Sequence, residues 1–116
     1  MMIAIQGTPE FKDYNIFLRA MGVALSNIND EDPYFYLYTA GPANINNFVL
    51  EFTNLSERGM KSRGKKIKFY KVAPKWIEEN LNQFNYFAFL NNPKQPVSTL
   101  AKKAQDSGIE LGIFQY

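Results

Sequence analysis

The chain has 116 residues, no cysteine, no histidine and a net charge of +2, with 46% of its residues hydrophobic and 16% aromatic. That length can bury a core without disulfide or metal staples. The missing residue types exclude thiolate catalysis, disulfide frameworks, imidazole bases and His-ligated metals. The charge is uneven: residues 1–60 carry three basic and seven acidic side chains (net −4) and residues 61–116 ten basic and four acidic (net +6), an asymmetry that suits a polyanionic partner.

No stretch is long and apolar enough to cross a bilayer. The opening MMIAIQGTPEF lacks a basic leader, an extended apolar core and a small-residue cleavage site, so the expectation is one cytoplasmic domain over residues 1–116.

Met2-Ile-Ala-Ile5 is an apolar run without alternation, as in a strand buried on both faces, and it stops at Gln6-Gly7. Thr8-Pro9-Glu10 supplies a capping hydroxyl, a proline for the first helical position and an acid near the positive end of the dipole. Asp13 offers a second start for the same helix. Tyr14, Phe17, Leu18, Met21, Leu25 and Ile28 recur at steps of three and four and predict its buried face. Asn29 to Pro33 closes the segment with turn formers.

Tyr34 to Tyr38 predicts a second strand running into the turn Thr39-Ala-Gly-Pro42. A helix follows with Ile45, Phe48, Val49, Phe52 and Leu55 on one face and Asn44 or Asn46 capping its start. Lys66 to Val72 predicts a third strand, and Pro74 opens a short helix burying Trp76, Ile77, Leu81 and Phe84. Tyr86 to Leu90, continuously apolar, predicts a central fourth strand. After Asn91 to Pro96, a last helix is predicted from Ser98 to Ser107 with Gly108 at its C-terminal cap, then a fifth strand from Ile109 to Phe114.

Five strands alternating with helices predict an α/β three-layer sandwich, a mostly parallel Rossmann-like sheet of order 3-2-1-4-5. Ligands of such sheets bind beyond the carboxyl ends of the strands, where chain order reverses. That rule selects the loops Gln6–Pro9, Thr39–Asn44 and Asn91–Val97. Two of them carry a glycine before a helix start, which reads either as an anion site or as a turn that needs glycine in any case. Neither a dinucleotide fingerprint nor a phosphate-binding loop of the Walker type is present.

The run Lys61, Arg63, Lys65, Lys66, Lys68, Lys71 and Lys75 contains no acid and is interleaved with Phe69 and Tyr70, with Trp76 following. A strand through its middle separates its ends by roughly 20 Å, leaving Lys61, Arg63 and Lys65 at the far end of the sheet and Lys71 and Lys75 near the crevice. Lysines on an edge strand also guard against edge-to-edge pairing. Tyr34, Tyr36 and Tyr38 share one strand face, where they either stack bases or, the better account, pack beneath helices. Glu78-Glu79 and Asp30-Glu31-Asp32 read as solvated acids. No motif requires a metal or a cofactor.

Gly7, Phe11, Asp13 and Tyr14, then Ala40-Gly-Pro-Ala-Asn-Ile-Asn46, then Leu100-Ala-Lys-Lys-Ala104 with Ser107-Gly-Ile109, resemble the SLOG group of Rossmann-like proteins. That group includes the YspA type, the DNA processing A family and the Lonely guy phosphoribohydrolases. The resemblance is to the YspA type and runs over nearly the whole chain. Pro9 stands where the first motif has an arginine, Asn44 and Asn46 where the second has a glycine and an aspartate, and Pro96-Val97 where the third has Gly-Thr. The glycine-rich loop and glutamate of the Lonely guy reaction are absent. The resemblance implies nucleotide or nucleotide-derived ligands.

The expected function is a non-catalytic binding module holding a nucleotide-like or other anionic ligand. Gly7, Thr8 and Gly41 would donate, Asn44, Asn46, Asn91 and Asn92 would read polar edges, and Lys71 or Lys94 would supply charge. The alternatives are an interaction protein that contacts single-stranded nucleic acid through Lys71, Lys75 and Trp76, or binds a protein partner, and an enzyme using Asp13 or Glu10.

Overall fold

The computed structural model describes residues 1–26 and 32–116. Along the chain run β1 (Met2–Gly7), α1 (Tyr14–Ser26), β2 (Tyr34–Thr39), α2 (Ala43–Ser62), β3 (Lys66–Lys71) and α3 (Pro74–Glu79). A single 3-10 turn (Leu81–Gln83), β4 (Tyr86–Asn91), α4 (Thr99–Asp106) and β5 (Glu110–Gln115) complete the order. The sheet is parallel throughout, ordered β3-β2-β1-β4-β5, as the alternation of elements predicts. Ile3 lies between Leu37 and Tyr86, and Ile5 between Thr39 and Ala88.

Because strand order reverses beside β1, right-handed crossovers place α1 and α2 on one face and α3 and α4 on the other. Ile3 and Ile5 pack with Phe17, Met21, Phe35, Leu37, Ile45 and Val49 in one core. Ala4 points the opposite way and joins Ile77, Phe87, Phe89, Leu100 and Ala104 in the second. Each large side chain withdrawn from water stabilises the fold by about 1.5–3 kcal/mol, and every residue of β4 is buried. Among the described residues no helix is long and apolar enough to cross a membrane.

Local details correct several expectations. The capping residue of α1 is Asp13, whose Oδ1 accepts the Ile16 amide at 3.1 Å, because Thr8–Phe11 closes its own turn through a Phe11 amide to Thr8 carbonyl bond. Leu18 is exposed, and Ala20 and Ala24 complete the buried stripe with Phe17 and Met21. Neither Asn44 nor Asn46 caps α2; Pro42 occupies that position without a side-chain hydrogen bond. Leu55 points outward at 66% exposure and Thr53 takes the inner position, satisfying its hydroxyl on the Val49 carbonyl. Ser98 caps α4, its hydroxyl oxygen accepting the Ala101 amide. Ile28 and the predicted turn residues Asn29, Asp30 and Glu31 lie outside the described residues.

One correction concerns a whole surface. Tyr34 and Tyr36 are not roofed by a helix among the described residues, and Tyr38 is covered only by Trp76 of α3. The burial of β2 alternates, with Phe35, Leu37 and Thr39 buried and Tyr34, Tyr36 and Tyr38 only partly covered or exposed. α3 has six residues, about 9 Å of helix, too little to cover both β2 and β3. Trp76, predicted as core, is accordingly exposed at the edge of the uncovered area, while Ile77, Leu81 and Phe84 are buried.

Gly7 has a packing reason. A Cβ there would meet Ile45 Cδ1 at 2.6 Å, Ile45 Cγ1 at 3.0 Å and Leu90 Cβ at 3.1 Å, so α2 and β4 close on β1 only because no side chain intervenes. Gly7→Ala should cost about 1–3 kcal/mol as an overpacking change, measured by urea unfolding. Ile45→Val removes the nearest atom, so the double variant should lose less than the sum of the two single losses; strict additivity would contradict the assigned clash.

Candidate functional site

Strand order reverses between β1 and β4, and the loops that leave these parallel strands meet there. The Thr8 amide donates to the Leu90 carbonyl at 3.1 Å. Asn92 Nδ2 donates to Glu10 Oε1 at 3.0 Å, and the Ser98 hydroxyl bonds Gln6 Oε1 at 2.6 Å. The loop after β2 joins them through Asn44, whose Nδ2 reaches the carbonyls of Thr8 (3.2 Å) and Phe11 (2.9 Å). The Thr8 hydroxyl bonds the phenol of Tyr116, tying the end of the chain to the same rim. Gln6, Ser98 and Tyr116 were not among the predicted site residues. No local motif announces them, since each meets a partner about 90 residues or more away in the chain.

The structure thus brings Gly7, Thr8, Asn44, Asn91 and Asn92 together. Gly41 and Asn46 stand at the end of β2. Gly41 has φ +99, a conformation open to glycine, and its amide donates to Thr39 Oγ1. The Thr39 hydroxyl in turn donates to Asn46 Oδ1 at 2.9 Å. Lys94 is exposed, with its backbone amide on Asn92 Oδ1 at 2.9 Å. Lys71 aligns with Thr39 on β3, two strands and about 10 Å from β1.

Asn91 differs from its neighbours. It ends β4, is 3% exposed, and holds its Nδ2 3.5 Å from the Gln95 carbonyl. Its Oδ1 is a buried acceptor with no hydrogen-bond partner among the described residues. A hollow of about 260 Å³ adjoins the rim, lined by Phe11, Lys12, Asn44, Asn47, Phe48 and Glu51.

Of the acids at the rim, Glu10 has its carboxylate form favoured. The Asn92 hydrogen bond, followed by Glu10's own amide, holds the Glu10 carboxyl below the ordinary glutamate range, outweighing a small opposing effect of desolvation. Asp13 is engaged as the α1 cap. Among the described residues no group of three or more acids is placed to hold a metal ion. Glu78 and Glu79 are exposed and pair with Lys103 and Lys75; Asp32 pairs with the N-terminal amine at 2.7 Å, while Asp30 and Glu31 lie outside the described residues.

Of the residues of the nucleic-acid alternative, Trp76 falls on a different surface, the open half of the sheet, whereas Lys71 does not. Tyr34 and Tyr36 stack at 5.9 Å and 6°, Tyr38 and Tyr70 at 5.0 Å and 20°, and Tyr38 and Trp76 at 5.0 Å and 16°. Tyr36 meets Tyr70 at 5.8 Å, which joins the stacks into one array. Phe84 closes its buried end, edge-on to Tyr38 and Trp76. Burial, then the neighbouring Tyr70 and Tyr36, push the Tyr38 phenol up. Lys75 lies beside Trp76 in sequence and near Glu79 at 3.9 Å; Lys71 belongs to the opposite face of β3 from Tyr70. Lys61, Lys65, Lys66 and Lys68 with Glu57 and Ile67 border a hollow of about 280 Å³ at the amino end of β3, the far end of the sheet as predicted.

Two measurements probe the stitched rim. Asn44→Ala removes two hydrogen bonds and should cost about 1–2 kcal/mol, with faster amide exchange confined to the 8–13 loop. Asn92→Ala should raise the Glu10 titration midpoint, followed by NMR, toward its ordinary value of about 4.3. With its folded pKa depressed, the Glu10 latch contributes above that ordinary value and is lost as pH falls through the depressed one. A midpoint unmoved by Asn92→Ala would contradict the assigned cause.

No protein-family model matches the chain, and no curated protein matches it. Among solved structures, that of the universal stress protein from Archaeoglobus fulgidus is similar, with 9% sequence identity, 98% of this chain and 93% of that chain covered, and a TM-score of 0.48.

Proposed function

We propose that the protein is a non-catalytic binding module that holds a nucleotide-like ligand where β1 and β4 end. The observation that carries this reading is Asn91 Oδ1, a buried acceptor with no partner among the described residues, at the reversal point of the sheet. Burying such an atom costs about 1–3 kcal/mol, and the N–H edge of a nucleobase is its chemical complement. The start of α4 next to it presents the positive end of a helix dipole, suited to a phosphate. Access requires the 92–98 loop to part from Glu10, a bond at the surface. A depressed Glu10 and an Asp13 occupied in capping favour binding over acid–base catalysis, which needs a proton-transfer group poised near neutrality. The resemblance to the SLOG group in the loops of Gly7 and Gly41 favours the same ligand class.

The test is a thermal melt against a panel of nucleoside mono-, di- and triphosphates. A ligand present at 100 times its Kd should stabilise the protein by about 2.7 kcal/mol. Asn91→Leu keeps the volume and removes the acceptor. The free variant should melt at or above the wild-type temperature, while the ligand-induced rise disappears. A rise that survives in the variant, or a panel with no stabilising member, would overturn the reading.

A further inference from the structure

The open face of β2 and β3 is independent of the rim and has no part in the binding proposed there. We propose that this face is a stacking platform for single-stranded nucleic acid. Four tyrosines and Trp76 form one continuous array on a sheet surface that α3 covers only at Tyr38, through Trp76. Tyr34 is 45% exposed, Tyr70 38% and Trp76 36%. An uncovered contiguous patch of rings marks a binding surface rather than the single exposed apolar residues of any protein.

The ring type and the charge name the occupant. Tyrosine and tryptophan tolerate water at one end and carry an aromatic ring at the other, and exposed lysines beside them favour a polyanionic partner over a neutral one. The strand register sets Lys66 beside Tyr34 and Lys68 beside Tyr36, on the same face because Ile67 between them is buried on the other. Both lysines are exposed, and neither takes part in an ion pair among the described residues.

Three of the neighbouring acids among the described residues are paired. Asp32 is held by the N-terminal amine, Glu79 lies by Lys75 and Glu78 bonds Lys103. Glu57, which borders the hollow at the β3 edge, shares it with Lys61, Lys65, Lys66 and Lys68. Cations lining a row of flat rings complement a chain with a phosphate on every residue and an aromatic base between phosphates. Tyr34 to Tyr38 spans about 13 Å along β2, room for a few unpaired bases. A duplex hides its base faces within its own stack, so the surface discriminates against it.

The experiment is fluorescence anisotropy of a labelled mixed-sequence DNA of about ten nucleotides, single-stranded and as duplex, at several salt concentrations. The single strand should bind, and more tightly than the duplex. Tyr34→Ala and Tyr70→Ala should each weaken binding by about 5- to 150-fold, the range of one base–ring stack, while Tyr34→Phe retains it. Circular dichroism melts of these exposed-site variants check that the fold persists. The double change Lys66→Ala with Lys68→Ala should flatten the slope of log affinity against log salt by about 0.7 for each phosphate that is no longer neutralised. Asn91→Leu should leave this binding intact, which separates it from the rim.

Absent binding at low salt, equal affinity for duplex, or indifference to Tyr34→Ala and Tyr70→Ala would each overturn the proposal. Light scattering that finds a dimer dissolved by Tyr34→Ala would also overturn it, by giving the face to a second copy of the chain.

Discussion

β1 is the constraint on which the rest depends. It is hydrogen-bonded to β2 on one side and β4 on the other, so its backbone donors and acceptors are satisfied away from water. Its side chains divide between two cores, Ile3 and Ile5 to one and Ala4 to the other. Because the chain first builds outward from β1 to β2 and β3 and then returns across it to β4, the helices are split between faces and the loops after β1 and β4 are left facing each other. Gly7 sits where that arrangement is tightest. Its missing side chain admits Ile45 and Leu90 to the end of β1.

The same reversal accounts for both surfaces of interest. At the rim, cross-loop bonds from Thr8, Asn44, Asn92 and Ser98 satisfy the polar groups of three loops, leaving Asn91 Oδ1 as the exception among the described residues. On the sheet, the long α2 covers β2 and β3 from one side with Phe48, Val49 and Phe52, whereas on the other side the connection from β3 to β4 spends only six residues on α3. The uncovered area is filled laterally instead. Tyrosines lean on one another and on Trp76, so each ring buries area against a neighbour while its hydroxyl remains near water.

This division gives the two faces different chemistry. The α1 and α2 face is closed by apolar contacts and by aromatic pairs around Phe17 and Phe48. The open face combines stacked rings with Lys66 and Lys68. An edge-strand lysine discourages pairing with another sheet, and the same charge attracts a polyanion. One residue serves both effects without conflict, since each needs only an exposed ammonium on β3.

The sequence by itself determined the element order, the parallel sheet and its strand order, because apolar runs, helical periodicity and turn residues are local signals and right-handed crossovers leave few topologies. It also placed the three loops at the carboxyl ends of their strands, and put Lys61, Arg63 and Lys65 at the other end. Tertiary structure alone decided how those loops are used. Asn44 bonds carbonyls more than 30 residues away, and the cap of α1 fell to Asp13 because Thr8 was already committed to a turn and to Tyr116. It also decided that Tyr34 and Trp76 are exposed and Tyr36 is only partly covered, with Tyr38 lying beneath Trp76. Alternation in β2 showed two faces, but which one a helix covers depends on the length and path of α3, and no spacing within the strand records that distance.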